Sequence, residues 1–205
     1  MKKVIRFLNL LSILIYLTNC KKEPIHYTIS DDFRKWVDCQ NGSYWVYKNE
    51  LTGNIDSVYF LGDRLYSTDF SYKEQGYSFD FININLKSSF IQSIYISVNA
   101  DFEFAILDVR GMGSALRTNS EIGQNIKWIN GIYRFVNFYD SLKINNNIFH
   151  NIIHTRTSLP YHSTNDSIVC NFYFSKNIGL IKFQSEVQIS SADTSWSLLR
   201  WNVIQ

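Results

Sequence analysis

Proline is almost missing from this chain: 205 residues contain two, Pro24 and Pro160. That excludes proline-rich linkers and polyproline ligand segments, and it leaves long stretches in which strand pairing need not be interrupted. Cysteine is scarce too, with only Cys20, Cys39 and Cys170. Three thiols so far apart make neither a disulfide-dense scaffold nor a Cys-x-x-Cys metal site. Neither sign of charge dominates, with 20 Lys and Arg against 18 Asp and Glu. The longest apolar run, Phe7 to Leu17, is eleven residues. As a helix it would reach ~16 Å, about half of a hydrocarbon core, so it is too short for a transmembrane anchor. There is no internal repeat, low-complexity tail or Ser/Gly/Pro linker, and the remaining length fits one domain with a sizeable core.

What is present begins with a leader. Lys2, Lys3 and Arg6 precede the apolar run, which is broken only by Asn9 and Ser12 and then passes through Thr18 and Asn19 to Cys20. This is the three-part layout of a secretory signal, assigned to residues 1–19. The leader holds three basic residues and no acidic one, so the exported chain carries 17 basic against 18 acidic side chains. A net charge near minus one gives no footing for nucleic-acid binding.

The stretch "LTNC", Leu17 to Cys20, resembles a bacterial lipobox, with Asn19 where Gly, Ala or Ser is usual. The resemblance implies cleavage before Cys20, lipid on its sulfur, and a membrane-attached protein. Physical chemistry agrees, because a thiol between a departing leader and the charged "KKEP" has no core to pack into. Several acyl chains at ~0.8 kcal/mol per buried CH₂ hold a protein on a bilayer, whereas one does not. Lys21 in place of an aspartate implies, by the same resemblance, the outer membrane, on its periplasmic or its outward side. Residues 20–29 are then a lipidated tether and residues 30–205 the fold.

Cys39 and Cys170 remain as a candidate disulfide, since export places them in an oxidising compartment. A bridge closing so long a loop is worth about 4 kcal/mol in a chain-entropy account. The alternative for Cys170, inside "SIVCNFYF", is a small buried hydrophobe in a strand.

One short helix is expected near the start of the fold. Ser30 can cap "DDFRKWVD", Asp31 and Asp32 complement the helix dipole, and Phe33, Trp36 and Val37 share a face, with Gly42 ending the element. Thereafter the period is two. In "IKFQSEVQI", Ile181, Phe183, Val187 and Ile189 alternate with polar residues, and "SIYISV" does the same with Ile94, Ile96 and Val98. "YSFDFININL" changes phase, from Tyr77, Phe79 and Phe81 to Ile82, Ile84 and Leu86, which predicts a β-bulge near Phe81. Further strands are expected over 44–48, 56–61, 102–110, 138–144, 148–156, 167–174 and 196–204. The links "LTGN", "VNAD", "INNNI" and "SKNIG" carry residues that tolerate positive φ. The expectation is an all-β antiparallel meander forming a curved sheet, half-barrel or closed barrel, with one N-terminal helix.

A second resemblance rests on "NGSYWVYKNELTGNIDSV", "YDSLKINNNIFHNII" and "NFYFSKNIGLIKFQS". Together they are similar to β-rich envelope lipoproteins of the Bacteroidetes, some of which share an outline with open-barrel lipoprotein carriers. This resemblance implies a β-rich envelope protein and supplies no catalytic residues.

Candidate chemistry is thin. His150 and His154 are four apart on an expected strand, about 13 Å, too far to share a metal ion. His26, in the tether, and His162, after Pro160, read as isolated. "GMGSAL", Gly111 to Leu116, is neither a nucleophile elbow nor a phosphate loop and reads as a glycine-rich strand end. Asp101 and Glu103 share a strand face but would need a cleft to act as acid and base. No cofactor or metal is implied. Five Trp, thirteen Tyr and fifteen Phe make an aromatic ligand surface conceivable, with Trp45, Tyr47, Trp196 and Trp201 as its candidates, although β cores also consume aromatics. Two functions follow as expectations. One is a non-enzymatic lipid-anchored envelope protein that binds a ligand, a lipid or an envelope partner through its sheet. The other is a small surface hydrolase or carbohydrate-binding protein, which requires a cleft gathering at least two His, Asp or Glu side chains.

Overall fold

The computed structural model describes residues 24–70, 75–88, 94–100, 104–109, 112–118, 120–128, 131–160, 167–186 and 195–205. The leader, Cys20, Asp101, Glu103 and His162 lie outside the described residues, as do Val187 and Ile189. The strands are β1 (Ile25–Tyr27), β2 (Tyr44–Asn49), β3 (Ile55–Asp69), β4 (Tyr77–Ser88), β5 (Ile94–Asn99), β6 (Phe104–Val109), β7 (Met112–Arg117), β8 (Asn125–Trp128), β9 (Gly131–Ile144), β10 (Asn147–Pro160), β11 (Ser167–Ser175), β12 (Gly179–Ser185) and β13 (Ser195–Asn202). One helix, α1 (Asp31–Val37), lies between β1 and β2.

The expected all-β antiparallel meander is what forms. Strands β2 to β7 pair in sequence order, β8 to β13 do the same, and β13 pairs with β2 to join the two runs into one 13-stranded sheet. The described ladders are antiparallel except that between β1 and β4. β7 and β8, although consecutive, are not hydrogen-bonded neighbours, so the sheet curls without closing into a barrel. Side chains close that seam in place of a ladder: β7 packs on β9, β10 and β11, and Ala115 and Tyr133 form a small apolar cluster with Ile106 and Ile126. The main core fills the concave side of the sheet and includes Ile82, Ile84, Ile152, Phe172, Ile181 and Leu198.

Local sequence explains most of this. Asn145, Asn177, Gly53 and Gly179 take positive φ in the links "INNNI", "SKNIG" and "LTGN", as their residue types favour. Ile181 and Phe183 are buried while Lys182 and Gln184 face outward, as the alternation requires.

Three expectations are corrected. β4 stays in phase through Phe81, pairing continuously with β5 from Phe81 to Leu86. Its inward row is Ser78, Asp80, Ile82, Ile84 and Leu86, every one buried. The change in hydropathy marks a polar end to the interior, and the register shift lies on β3, between Phe60 and Arg64. The helix ends at Val37, where Asp38 turns extended at φ −86° and ψ 146°; Gly42 serves the following turn at φ 93°. Ile25–Tyr27, read as tether, forms β1, and "GMGSAL" contributes β7.

Candidate ligand cavity beneath the helix

α1 starts as its sequence dictates: Ser30 Oγ accepts from the Phe33 amide at 3.2 Å, and Phe33 and Trp36 are its buried side chains. Polar contacts on two sides fix it over the sheet. Toward β11 and β12, the Asn177 amide donates to the Lys35 carbonyl at 2.6 Å, and Lys176 Nζ meets Asp32 at 2.6 Å. The Lys176 hydrogen bond holds the Asp32 carboxyl below its usual range. Toward β3, Arg64 bonds both Asp38 and the Cys39 carbonyl, and Arg34 lies 3.5 Å from Asp38.

Beneath Trp36 and Val37 the concave side is not filled. A hollow there leaves about 830 Å³ free of protein atoms, its open mouth included. Its walls are apolar side chains from β2 to β6, the β11–β12 hairpin and β13, including Leu86, Ile94, Leu107, Phe174 and Phe183. Among the described residues Asp38 is the single charged member of the lining.

Three of the four aromatic candidates meet in this hollow: Trp45, Tyr47 and Trp196 line it, joined by Trp36, which sequence reasoning assigned only to a helix face. Trp201 does not line it and packs against Phe149 at 5.1 Å. With Trp45 at 6% and Trp196 at 4% exposure, these rings are interior walls and form no outward stacking platform. The polar atoms of two of them are occupied, since Trp45 Nε1 donates to the Ile178 carbonyl at 2.7 Å and the Tyr47 hydroxyl to the Leu180 carbonyl at 2.8 Å. Burial, followed by the nearby Asp56 carboxylate, pushes the Tyr47 phenol far above its usual range. The walls therefore offer apolar surface and ring faces, and no free acid or base.

A second cluster lies at the polar end of the interior. His26, read as isolated, stands opposite Ser78 in the β1–β4 ladder. Its Nδ1 is 2.9 Å from Ser78 Oγ and its Nε2 is 3.2 Å from Asp80 Oδ1. Asp80 also accepts from Tyr66 and from Thr68 Oγ1, the latter at 2.8 Å. A histidine between a serine and an aspartate invites a nucleophile reading, but Ser78 is 4% exposed and His26 covers its hydroxyl. The cluster clasps β1 to the sheet. Its sequence signal was a buried-phase polar pair, Ser78 and Asp80, in an otherwise apolar strand.

The remaining candidates are dispersed. His154 is sandwiched between Tyr139 and Tyr173, with centroids 6.4 and 4.2 Å away, and its Nε2 meets Asn171 Oδ1 at 2.9 Å. His150 faces solvent. Among the described residues no group of three or more His, Cys, Asp or Glu could hold a metal ion. Cys39 and Cys170 are buried thiols with no disulfide joining them; Cys39 follows α1, whereas Cys170 sits in β11 between Thr157 and Ser185. Desolvation raises both, to about 12 for Cys39 and about 11 for Cys170, so both behave as inert core groups.

No family model matches the chain, and no curated protein matches it. Among solved structures it is similar to one described as a "putative exported protein with YmcC-like fold" from Bacteroides fragilis. That likeness has a TM-score of 0.47 and 8% identity, and covers 82% of this chain and 98% of the other. It is a resemblance in outline, too low to reason from.

Proposed function

We propose that this protein is a lipid-anchored envelope protein that binds the apolar part of a small amphiphile, such as an acyl chain, in the hollow beneath α1. The carrying observation is an aromatic-lined cavity whose Trp45 and Tyr47 polar atoms are already bonded to backbone carbonyls. Such a surface rewards an apolar guest and gives a polar one nothing to pair with. Asp38, flanked by Arg34 and Arg64, is where a polar head would rest. At about 830 Å³ with its open mouth included, the hollow falls in the size range of small-ligand pockets. Anchoring rests on the leader and Cys20. Binding is favoured over hydrolysis because, among the described residues, the lining holds one carboxylate, Asp38, and no histidine.

The test titrates the exported chain with a fatty acid brominated along its tail and reads tryptophan emission. Trp36, Trp45 and Trp196 line the hollow, so saturable quenching is expected; emission that falls only linearly, as with free bromide, overturns the binding reading. Anchoring is tested by intact mass of protein extracted from membranes. Acyl mass on Cys20 and release of Cys20→Ala to the soluble fraction are expected, and membrane retention of that variant after leader cleavage overturns it.

A further inference from the structure

Fourteen large apolar side chains are exposed on the described surface. Most are scattered, as at Leu51, Ile122, Ile148 and Ile204, and such single residues need no explanation. Three are not: Ile25 at 54%, Tyr27 at 38% and Leu65 at 59% lie on β1 and on the second half of β3. The ladders bring them together. Ile25 and Tyr27 pair with Tyr77 and Phe79 of β4, β4 pairs in turn with the Leu65–Asp69 stretch of β3, and Tyr27 and Tyr77 meet edge to face at 6.2 Å. Ile25, Tyr27, Tyr77 and Leu65 share the outward side of these ladders, opposite the inward row of Ser78 and Asp80, to which Tyr66 belongs through its pairing with Ile82 and its bond to Asp80.

We infer that this patch is a membrane-seating face, lying in the lipid interface beside the anchor. The inference deepens the lipid-anchored reading and rests on it. The occupant follows from where the chain leaves the fold. Cys20 is five residues before Ile25, and a fully extended chain spans at most about 3.6 Å per residue, or about 18 Å here. β1 is not loose at that point, because the Ile25 amide donates to the Gly76 carbonyl at 2.8 Å and His26 is clasped by Ser78 and Asp80. A lipid on Cys20 thus holds this end of the sheet within one tether length of the bilayer. Tyrosine beside aliphatic side chains is a composition that settles at the headgroup boundary. Asp69 shares the rung of Phe79, so the seat draws on apolar contact and has no use for anionic lipid.

The test uses the full lipidated chain in phosphatidylcholine vesicles whose acyl chains are brominated near the headgroup. A bimane probe is placed at Leu65→Cys, at Ile25→Cys, or at Ile148→Cys, a comparably exposed control on β10. Cys39 and Cys170 are buried, so the introduced thiol takes the label. Emission at positions 65 and 25 should fall by roughly half and at 148 by no more than about a tenth, as burial of some 5–10 Å into the interface requires. Equal quenching at all three, or none, overturns the seating face while acyl mass on Cys20 leaves the anchor standing. Absence of acyl mass overturns the anchor and the seat together. Replacing a third of the lipid with phosphatidylglycerol should leave the pattern unchanged; quenching that appears only then overturns an apolar seat.

Discussion

His154 shows how a residue that looks functional in the sequence is consumed by structure. Its ring is stacked between two tyrosines, one centroid at 4.2 Å, and desolvation, reinforced by Arg156 and opposed by the Asn171 hydrogen bond, holds its pKa below the usual value. The unfolded chain therefore takes up a proton at a higher pH than the folded chain does. Stability from this group is complete above the unfolded pKa of about 6.5 and is lost as pH falls through the lower folded value. Denaturant midpoints measured from pH 7.5 downward should drop less steeply in His154→Gln than in the parent; identical slopes would remove His154 from the acid response. At Trp45 the prediction concerns a bond. Trp45→Phe keeps most of the apolar wall but leaves the Ile178 carbonyl without the 2.7 Å indole donor, a loss of about 1–3 kcal/mol that urea unfolding would read.

Elements carry the next level, and α1 is the most legible of them. The Ser30 cap and the Phe33–Trp36 face were both visible in the sequence, and Ser30→Ala should cost about 1 kcal/mol of unfolding free energy; a change below about 0.3 kcal/mol would show that the tertiary contacts of α1, and not its cap, hold it. β1 was illegible. Three residues give no period to read, and its stability comes from a ladder partner some fifty residues away, with His26 reaching Ser78 and Asp80. His26→Ala should raise amide exchange at Ile25–Tyr27 while the β10–β11 ladder stays protected; exchange unchanged at β1 would mean that the clasp contributes nothing. The apparent bulge at Phe81 fails for a related reason. Hydropathy cannot distinguish an outward polar residue from an inward one that has partners, and Asp80 is inward because Tyr66 and Thr68 bond it. β8 escaped notice, and β7 was read only as a glycine-rich strand end, because an edge strand at the seam, packed by Ala115, needs no strong alternation. For the cavity, residue type pointed to Trp45, Tyr47 and Trp196, but only tertiary structure turns three rings on two strands inward together and adds Trp36 from a helix.

At the scale of the whole molecule, the open seam and the hollow are connected problems of packing. A sheet of this length joined by ladders all round could draw its walls together, whereas this one has no ladder between β7 and β8 and uses α1 to cover a concave side it does not fill. An apolar void forfeits dispersion contacts, so a protein that keeps one gives up stability that a guest can restore. Ala105, on β6, is 2% exposed and lines the hollow, which makes it the place to separate a ligand site from a packing defect. Ala105→Leu adds three carbons into the void. If the space is available, the variant should lie within about 1 kcal/mol of the parent, against the 1–3 kcal/mol cost of overpacking a filled core. A bound ligand at 100 times its dissociation constant stabilises by about 2.7 kcal/mol, so saturating fatty acid should raise the melting temperature of the parent by several degrees and that of Ala105→Leu little. A variant that folds as stably as the parent and keeps the full ligand shift would place the guest elsewhere on the protein, and the hollow would then be a defect of packing with no role in binding.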